Sequence, residues 1–259
     1  MIAQSNLPMI VRSVGSSDVM RVNRTFVQLL GLNHADLGAS PPAADVRRFY
    51  VEPDVASAVV DDEIYLTVNL GSGFRAHPLD TTVDDEFYSI RDFNPFNVVL
   101  TADYPAPLTR ADLIDITDLG HPTLLPSDAG WRLSMGLGSG EKIMAASFTF
   151  SGEIFFSSFT PNSSTVASCT LSAGLNKLYR ISLFDGSPTK NLDQSVDEDN
   201  LTEDDRTENL KQGGISPEPV FIFTDDNEGD PDVCIGAECF DPGFNENAIR
   251  TYWFQDETQ

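Results

Sequence analysis

The densest candidate chemistry in this sequence is the string DDNEGDPD at residues 225–232, where Asp226, Glu228, Asp230 and Asp232 alternate along the chain. In an extended or looped backbone, such spacing lets several carboxylates converge on one hard cation. Calcium suits it best, because it accepts about six to eight oxygen ligands in forgiving geometry. Asp225 and Asn227 supply further oxygens. The string is not an EF-hand loop, since Gly229 is wrongly placed and the glutamate of the twelfth position is missing. Two readings stand: a calcium site, or a solvated acidic loop.

Thiols come next. Cys234 and Cys239 bracket a short Gly-containing loop, CIGAEC. They suit a small disulfide in an oxidising compartment, or equally a pair of buried free thiols. With Cys169 they form an odd set, and none has the Cys/His spacing of a zinc site.

Arg75 and His77, in GSGFRAHP, are the tempting catalytic pair, because a Gly-rich turn can present side chains at a loop tip. A structural role is expected instead, with Arg75 tying loops together through Asp80 or Asp84 and Pro78 holding the turn. His34 and His121 have no Ser or Cys nucleophile context, so no triad is identifiable. The string GLGSGEK (136–142) fails as a phosphate loop, because Lys142 is followed by Ile143 rather than Ser or Thr. Trp131 and Trp253 lie in strand-like runs and are expected to be core anchors. No catalytic residue is assigned, and the chain is read as not an enzyme.

Charge narrows the partners. Sixteen Lys and Arg face 40 Asp and Glu, a net charge of −24, which opposes contact with nucleic acid or an anionic membrane face. Residues 193–208, DQSVDEDNLTEDDRTE, are acidic and free of aromatics, and are expected to form a flexible surface loop. No apolar run is long enough to span a bilayer, and the opening MIAQSNLPMIVRSVG lacks the parts of a signal peptide. An exported protein would carry its signal on residues outside this sequence.

The elements that must position these residues are strands. DEIYLTVNLGSG (62–73) is followed by DEFYSIRD (85–92), and GEIFFSSF (152–159) by NKLYRISLFDG (176–186). Each unit pairs a β-branched and aromatic run with a second run centred on a tyrosine, Tyr88 or Tyr179, and the units lie about 90 residues apart. Weaker copies bracket them: MIVRSVGSSDVMRVN (9–23) at the start, and PVFIFTDD (219–226) with AIRTYWFQD (248–256) at the end. Four partial units predict an all-β, partial β-propeller, open or incomplete, of roughly four antiparallel blades across residues 1–259. Short helical insertions are expected at 22–32, ended by Gly31, and at 108–117, where Thr109 and Asp112 suggest a cap and Leu113 and Ile116 an apolar stripe.

Several strings, in order, resemble the carboxy-terminal propeller of the PilC/PilY family of type IV pilus biogenesis and tip adhesin proteins. They are ADLGASPPAADVRRFYVEPDV (35–55), YLTVNLGSGFRAHPLDTTVDDEFYSIRD (65–92), LTRADLIDIT (108–117), GWRLSMGLGSGEKIMAASFTFSGEIFFSSFTP (130–161), LNKLYRISLFDGSP (175–188) and GISPEPVFIF (214–223). The best-matching region runs from 35 to 223, and GSGFRAHPLDTT with DDEFYSIRD is its most specific part. Before residue 35 the family's Gly-rich strand pair and aspartate-rich loop are not found, so the chain is expected to hold only part of a propeller.

The resemblance implies a non-enzymatic surface protein that supports pilus assembly, control of retraction, adhesion and twitching motility. It implies minor pilins and the pilus machinery as partners, with host or abiotic surface receptors reached through regions not included here. It implies an extracytoplasmic place at the cell surface or pilus tip after periplasmic transit, where Cys234 and Cys239 would pair and leave Cys169 alone. Two rivals remain: a quinoprotein-like propeller dehydrogenase, and a generic calcium-stabilised surface repeat protein.

Overall fold

Residues 10–11, 21–22, 47–60, 63–93, 108, 110–161, 173–194, 200–223 and 231–243 are described by the computed structural model. Their strands follow the β-branched and aromatic runs closely. The first pair, β1 (Ile10–Val11) and β2 (Arg21–Val22), is antiparallel. A five-stranded sheet follows, built from β3 (Asp54–Val60), β4 (Glu63–Gly71), β5 (Glu86–Asp92), β6 (Ile114–Asp115) and β7 (Gly130–Ser134) in the order β3-β4-β5-β7-β6. The next sheet takes β8 (Lys142–Ile143), β9 (Phe148–Phe150), β10 (Glu153–Thr160), β11 (Leu175–Ser182) and β12 (Thr207–Leu210), in the order β12-β11-β10-β8 with β9 also on β10. The last sheet is β13 (Val220–Ile222), β14 (Asp232–Ile235) and β15 (Glu238–Phe240).

Each sheet uses consecutive stretches of chain, and every pairing is antiparallel except that of β6 with β7. The sheets are not closed into a barrel. This is the all-β architecture expected, an open and incomplete propeller of about four units.

The 90-residue echo is structural. β4 pairs with β5, setting Val68 opposite Ile90, and β10 pairs with β11, setting Phe156 opposite Tyr179. These strands show little polar alternation because both of their faces are covered. On β10, Ile154 and Phe156 enter the core shared with the first large sheet, whereas Phe155 packs with Leu178, Val233 and Ile235 toward the last sheet. On β5, Phe87 enters the shared core, while Tyr88 and Ile90 join Val68, Leu70 and Leu113 on the opposite face. An aromatic column crosses the shared core: Phe87 stacks on Phe156 at 4.1 Å between centroids, and Phe156 on Tyr179 at 4.6 Å. Trp131, expected as an anchor, is fully buried in the same core.

A seam joins the two large sheets at the GSG string. Ile143 of β8 donates its N–H to the Ser72 carbonyl at 2.9 Å, while the same strand pairs with β10 through Ser158 and Phe159. Gly71 and Gly73 permit this approach, because a methyl group at either would overlap the Ile143 side chain or its backbone. The GLGSGEK string is the connection that carries the chain from β7 across to β8.

Two local expectations are corrected. The helix over 108–117 is not formed: Arg110–Asp112 make a single 3₁₀ turn, and Ile114–Asp115 are strand β6 beside Trp131 and Arg132. Leu113 and Ile116 are both buried, but in different cores, which a helical stripe cannot achieve. The other expected helix, 22–32, lies outside the described residues beyond Val22. The acidic segment 193–208 is not a free loop over 200–208: Glu203–Arg206 form a 3₁₀ turn with a Thr202–Asp205 capping box, leading into β12. Arg206 is the reason, since its guanidinium is buried and donates to the carbonyls of Gly186, Thr117 and Leu119.

Candidate functional site

The acidic string is the connection between β13 and β14. Ile222, the last residue of β13, is paired with Asp232, the first of β14, so the two ends of the string are held side by side. Asp232 is half-buried there, whereas Asp225, Asp226, Asn227, Glu228 and Asp230 lie outside the described residues. Among the described residues, no group of three or more His, Cys, Asp and Glu is arranged to hold a metal ion. Next in the chain, Cys234 and Cys239 face each other across β14 and β15 and are joined as a disulfide, with Cα atoms 4.0 Å apart. Cys169, His34 and Trp253 lie outside the described residues.

Arg75 and His77 do not form a reactive pair. Arg75 donates to the carbonyl of Met144 at 2.7 Å rather than to Asp80 or Asp84. Asp80 instead holds Thr82, and Asp84 accepts from the Gly138 N–H. The guanidinium reaches a backbone acceptor on the β8–β9 connection, and both carboxylates are already engaged, Asp80 within its own turn and Asp84 by the β7–β8 connection. His77 is exposed and packs its ring on Phe74, 4.6 Å between centroids, while Arg48 covers the Phe74 ring at 3.8 Å. His121 is exposed.

The residues that sequence reasoning missed are buried charges. Glu86, 0% exposed, opens β5 and collects three guanidiniums. Arg110 donates from Nε and Nη2 at 2.8 and 2.5 Å, Arg132 from Nη1 at 3.0 Å, and Arg47 lies 3.4 Å away. Tyr88 donates its phenol to the same carboxylate at 2.5 Å, and Arg132 reaches on to Asp115 at 2.6 Å. Burial alone would raise the Glu86 carboxyl, but the bonds from Arg110 and Tyr88 and the charge of Arg47 outweigh it and hold it below the usual range. The Tyr88 phenol is pushed far up, by burial first and then by Glu86.

A second network sits at the other sheet. Glu141 accepts from Ser158 at 2.5 Å, Tyr179 at 2.7 Å and Lys177 at 3.2 Å. Between the two, the ammonium of buried Lys142 donates to the carbonyls of Asp80 and Gly140 at 2.6 and 2.5 Å. Burial lowers its affinity for a proton, an effect that Asp85 and Asp80 oppose. Burial likewise raises the Asp85 carboxyl, opposed by the bond from Ser72.

Chemically the Glu86 network acts as fixed charge. Glu86 stays ionised and Tyr88 protonated across the neutral range, so neither trades protons there. The signal was present in the sequence: Glu86 and Arg132 stand inside the strand runs EFYSI and WRLSM, where a charge must be buried and paired.

No protein-family model matches the chain, and no curated protein matches its sequence. Among solved structures, the crystal structure of the Pseudomonas aeruginosa PilY1 C-terminal domain superposes with a TM-score of 0.57 at 18% identity, over 78% of this chain. The chain spans 46% of the length of that structure. The likeness shows the fold, and it is to a protein of the kind that the sequence strings resemble.

Proposed function

We propose that the chain is a pilus-related propeller platform that works by binding and not by catalysis, supporting pilus assembly, control of retraction and adhesion from an extracytoplasmic position. The observation that carries this reading is the coincidence of two likenesses: ordered PilC/PilY-type strings over 35–223, and a fold match to the PilY1 C-terminal domain. Fold alone does not assign function. What adds to it is that the buried carboxylates of both large sheets are engaged in structural pairs, and that a disulfide suits an oxidising compartment.

The partners under this reading are minor pilins and the pilus machinery. Calcium belongs to it as a proposal for the β13–β14 connection, with Asp226, Glu228, Asp230 and Asp232 as ligands; there the ion would offset repulsion among crowded carboxylates and clamp the hairpin.

The test is co-purification of the tagged chain with minor pilins from the same genome, beside a charge-matched unrelated acidic protein. Specific recovery of minor pilins supports the reading, and equal recovery with both baits overturns it. In parallel, reproducible dehydrogenase turnover on adding pyrroloquinoline quinone and calcium would replace it with the quinoprotein alternative.

A further inference from the structure

We propose that Asn200 is a modification site, whose side-chain amide takes an N-linked sugar before the 3₁₀ turn that follows it has closed. Asn200-Leu201-Thr202 has the Asn-x-Thr form of an N-linked acceptor, with leucine rather than proline in the middle. Asn23-Arg24-Thr25 and Asn162-Ser163-Ser164 have an acceptor form too, but they lie outside the described residues. So short a motif recurs by chance, and it is the surroundings of Asn200 that carry the assignment.

Three observations meet there. First, Asn200 is exposed, so a sugar on it would stand in water. Second, the chain just after it is fixed from beneath. Leu201 and Thr202 lie against Gly120, where a methyl group would come within 3.2 Å of the Leu201 carbonyl oxygen and of the Thr202 Cα. Arg206 anchors the same turn through the carbonyls of Gly186, Thr117 and Leu119. A sugar on Asn200 therefore projects from a rigid ledge and displaces no core group. Third, the hydroxyl that completes the acceptor is in use. Half-buried Thr202 caps the turn, donating its N–H and its hydroxyl to the Asp205 carboxylate at 2.6 and 3.1 Å.

This third point sets the order of events. The motif demands a hydroxyl at its third position, so a transferase reads that hydroxyl together with the asparagine amide. In the folded chain the hydroxyl is held by Asp205 while Asn200 stays outside. The acceptor is thus whole only before the capping box closes, and closure afterwards leaves the sugar on the surface.

The transfer is a substitution at an anomeric carbon. Nδ2 of Asn200 forms a bond to C1 of a sugar carried as a glycosyl diphosphate. The bond from C1 to the diphosphate oxygen breaks, its electron pair leaves on the diphosphate, and one amide proton passes to a base of the transferase. The carrier is either a membrane lipid or a nucleotide. Only the lipid-carried source rests on the extracytoplasmic reading given above.

The test begins with peptide mass spectrometry of the full chain purified from the cells that make it, before and after an amidase that removes N-linked sugars and leaves aspartate behind. The peptide holding Asn200 should carry a sugar mass that the amidase removes. Asn200→Gln should lose that mass and keep the parent's thermal melt, since the site is exposed. Unmodified Asn200 in the parent, or a removable mass on that peptide that persists in Asn200→Gln, overturns the proposal.

The order of events is tested on folded, sugar-free chain incubated with membranes and a lipid-diphosphate oligosaccharide, or with cytosol and a nucleotide sugar; the fraction that labels Asn200 identifies the source. Asp205→Ala keeps the acceptor string but frees its hydroxyl from a charge-assisted bond, so it should be labelled about tenfold faster than the parent. Thr202→Val should not be labelled at all. Equal labelling of folded parent and Asp205→Ala overturns modification before closure. Recovery of minor pilins does not depend on any of these outcomes, so the pilus reading and this one fail separately.

Discussion

Tyr179 donates its phenol to Glu141 at 2.7 Å, and both groups are sealed within the second large sheet. Tyr88 does the same for Glu86 in the first. The tyrosines mark the two copies of the repeat, but their carboxylates are differently supported: among the described residues, Glu86 has three arginines and Ser134 besides its phenol, and Glu141 has Ser158 and Lys177. Tyr179→Phe should therefore cost more than Tyr88→Phe. Leaving a buried acceptor short of a donor costs about 1–3 kcal/mol, with Tyr179→Phe toward the upper end. Urea denaturation of both variants checks the order, and an equal or reversed ranking refutes it.

Glu86 also governs behaviour in acid. Its folded carboxyl titrates below the ordinary 4.5, so its stabilisation is complete above that pH and is lost as pH falls through the depressed folded value. Asp85 acts in the opposite sense: burial holds its carboxyl above the ordinary 3.8, so its ionisation costs stability as pH rises past that point. Glu86→Gln should lower stability at pH 7 by about 3–5 kcal/mol, because three guanidiniums lose their shared carboxylate. It should also shrink the further loss between pH 5 and pH 3 (about one unit either side of the carboxylate range). Denaturation series at those pH values give both quantities. An unchanged acid slope would mean that Glu86 is not the controlling group.

The disulfide closes a very short loop in the last sheet. Chain-entropy arguments put the benefit of such a closure at about 2 kcal/mol. Cys239→Ser should lower the melting temperature, and a reductant should have little further effect on that variant. Thiol titration of the unreduced protein should find one thiol of the three cysteines. Three free thiols would contradict the pairing.

For the β13–β14 connection, millimolar calcium should raise the melting temperature, since a ligand that binds only the native state stabilises it by mass action. Magnesium, with its stricter octahedral demand, should do less. Asp230→Ala with Asp232→Ala should abolish the response. A wild-type melting curve that calcium leaves unmoved makes the string a solvated acidic turn.

How much of this was legible depends on which physics wrote each part. The hairpins β4–β5 and β10–β11 were readable because β-branched and aromatic runs fit a sheet buried on both sides, and because they recur. Leu113 and Ile116 misled, since their three-residue spacing suits a helix, yet tertiary packing sends them to separate cores. Arg206 was hidden in an acidic string whose composition suggested a solvated loop. Only its three carbonyl acceptors, contributed by Gly186, Thr117 and Leu119, explain why that string is drawn inward. The glutamate networks were discernible from charges placed inside strands, but their partners come from far along the chain, as Arg132 does for Glu86 from 46 residues away.

The seam at Ser72 and Ile143 has a consequence for how the molecule opens. Because β8 is bonded to one large sheet through Ile143 and paired with the other through Ser158, the two sheets cannot separate without breaking one of these sets of contacts and opening the core they share. Amide protons at Ile143, in β5 and in β10 should then exchange with solvent at one common, slow rate set by global unfolding. The small sheet β13–β14–β15 is tied on through Phe221, Val233 and the Glu238 carboxylate bonded to the Lys211 and Gln212 amides. Its amides can exchange through a lower, separate opening, so that the end of the chain carrying the disulfide would be the first to loosen and the last to settle.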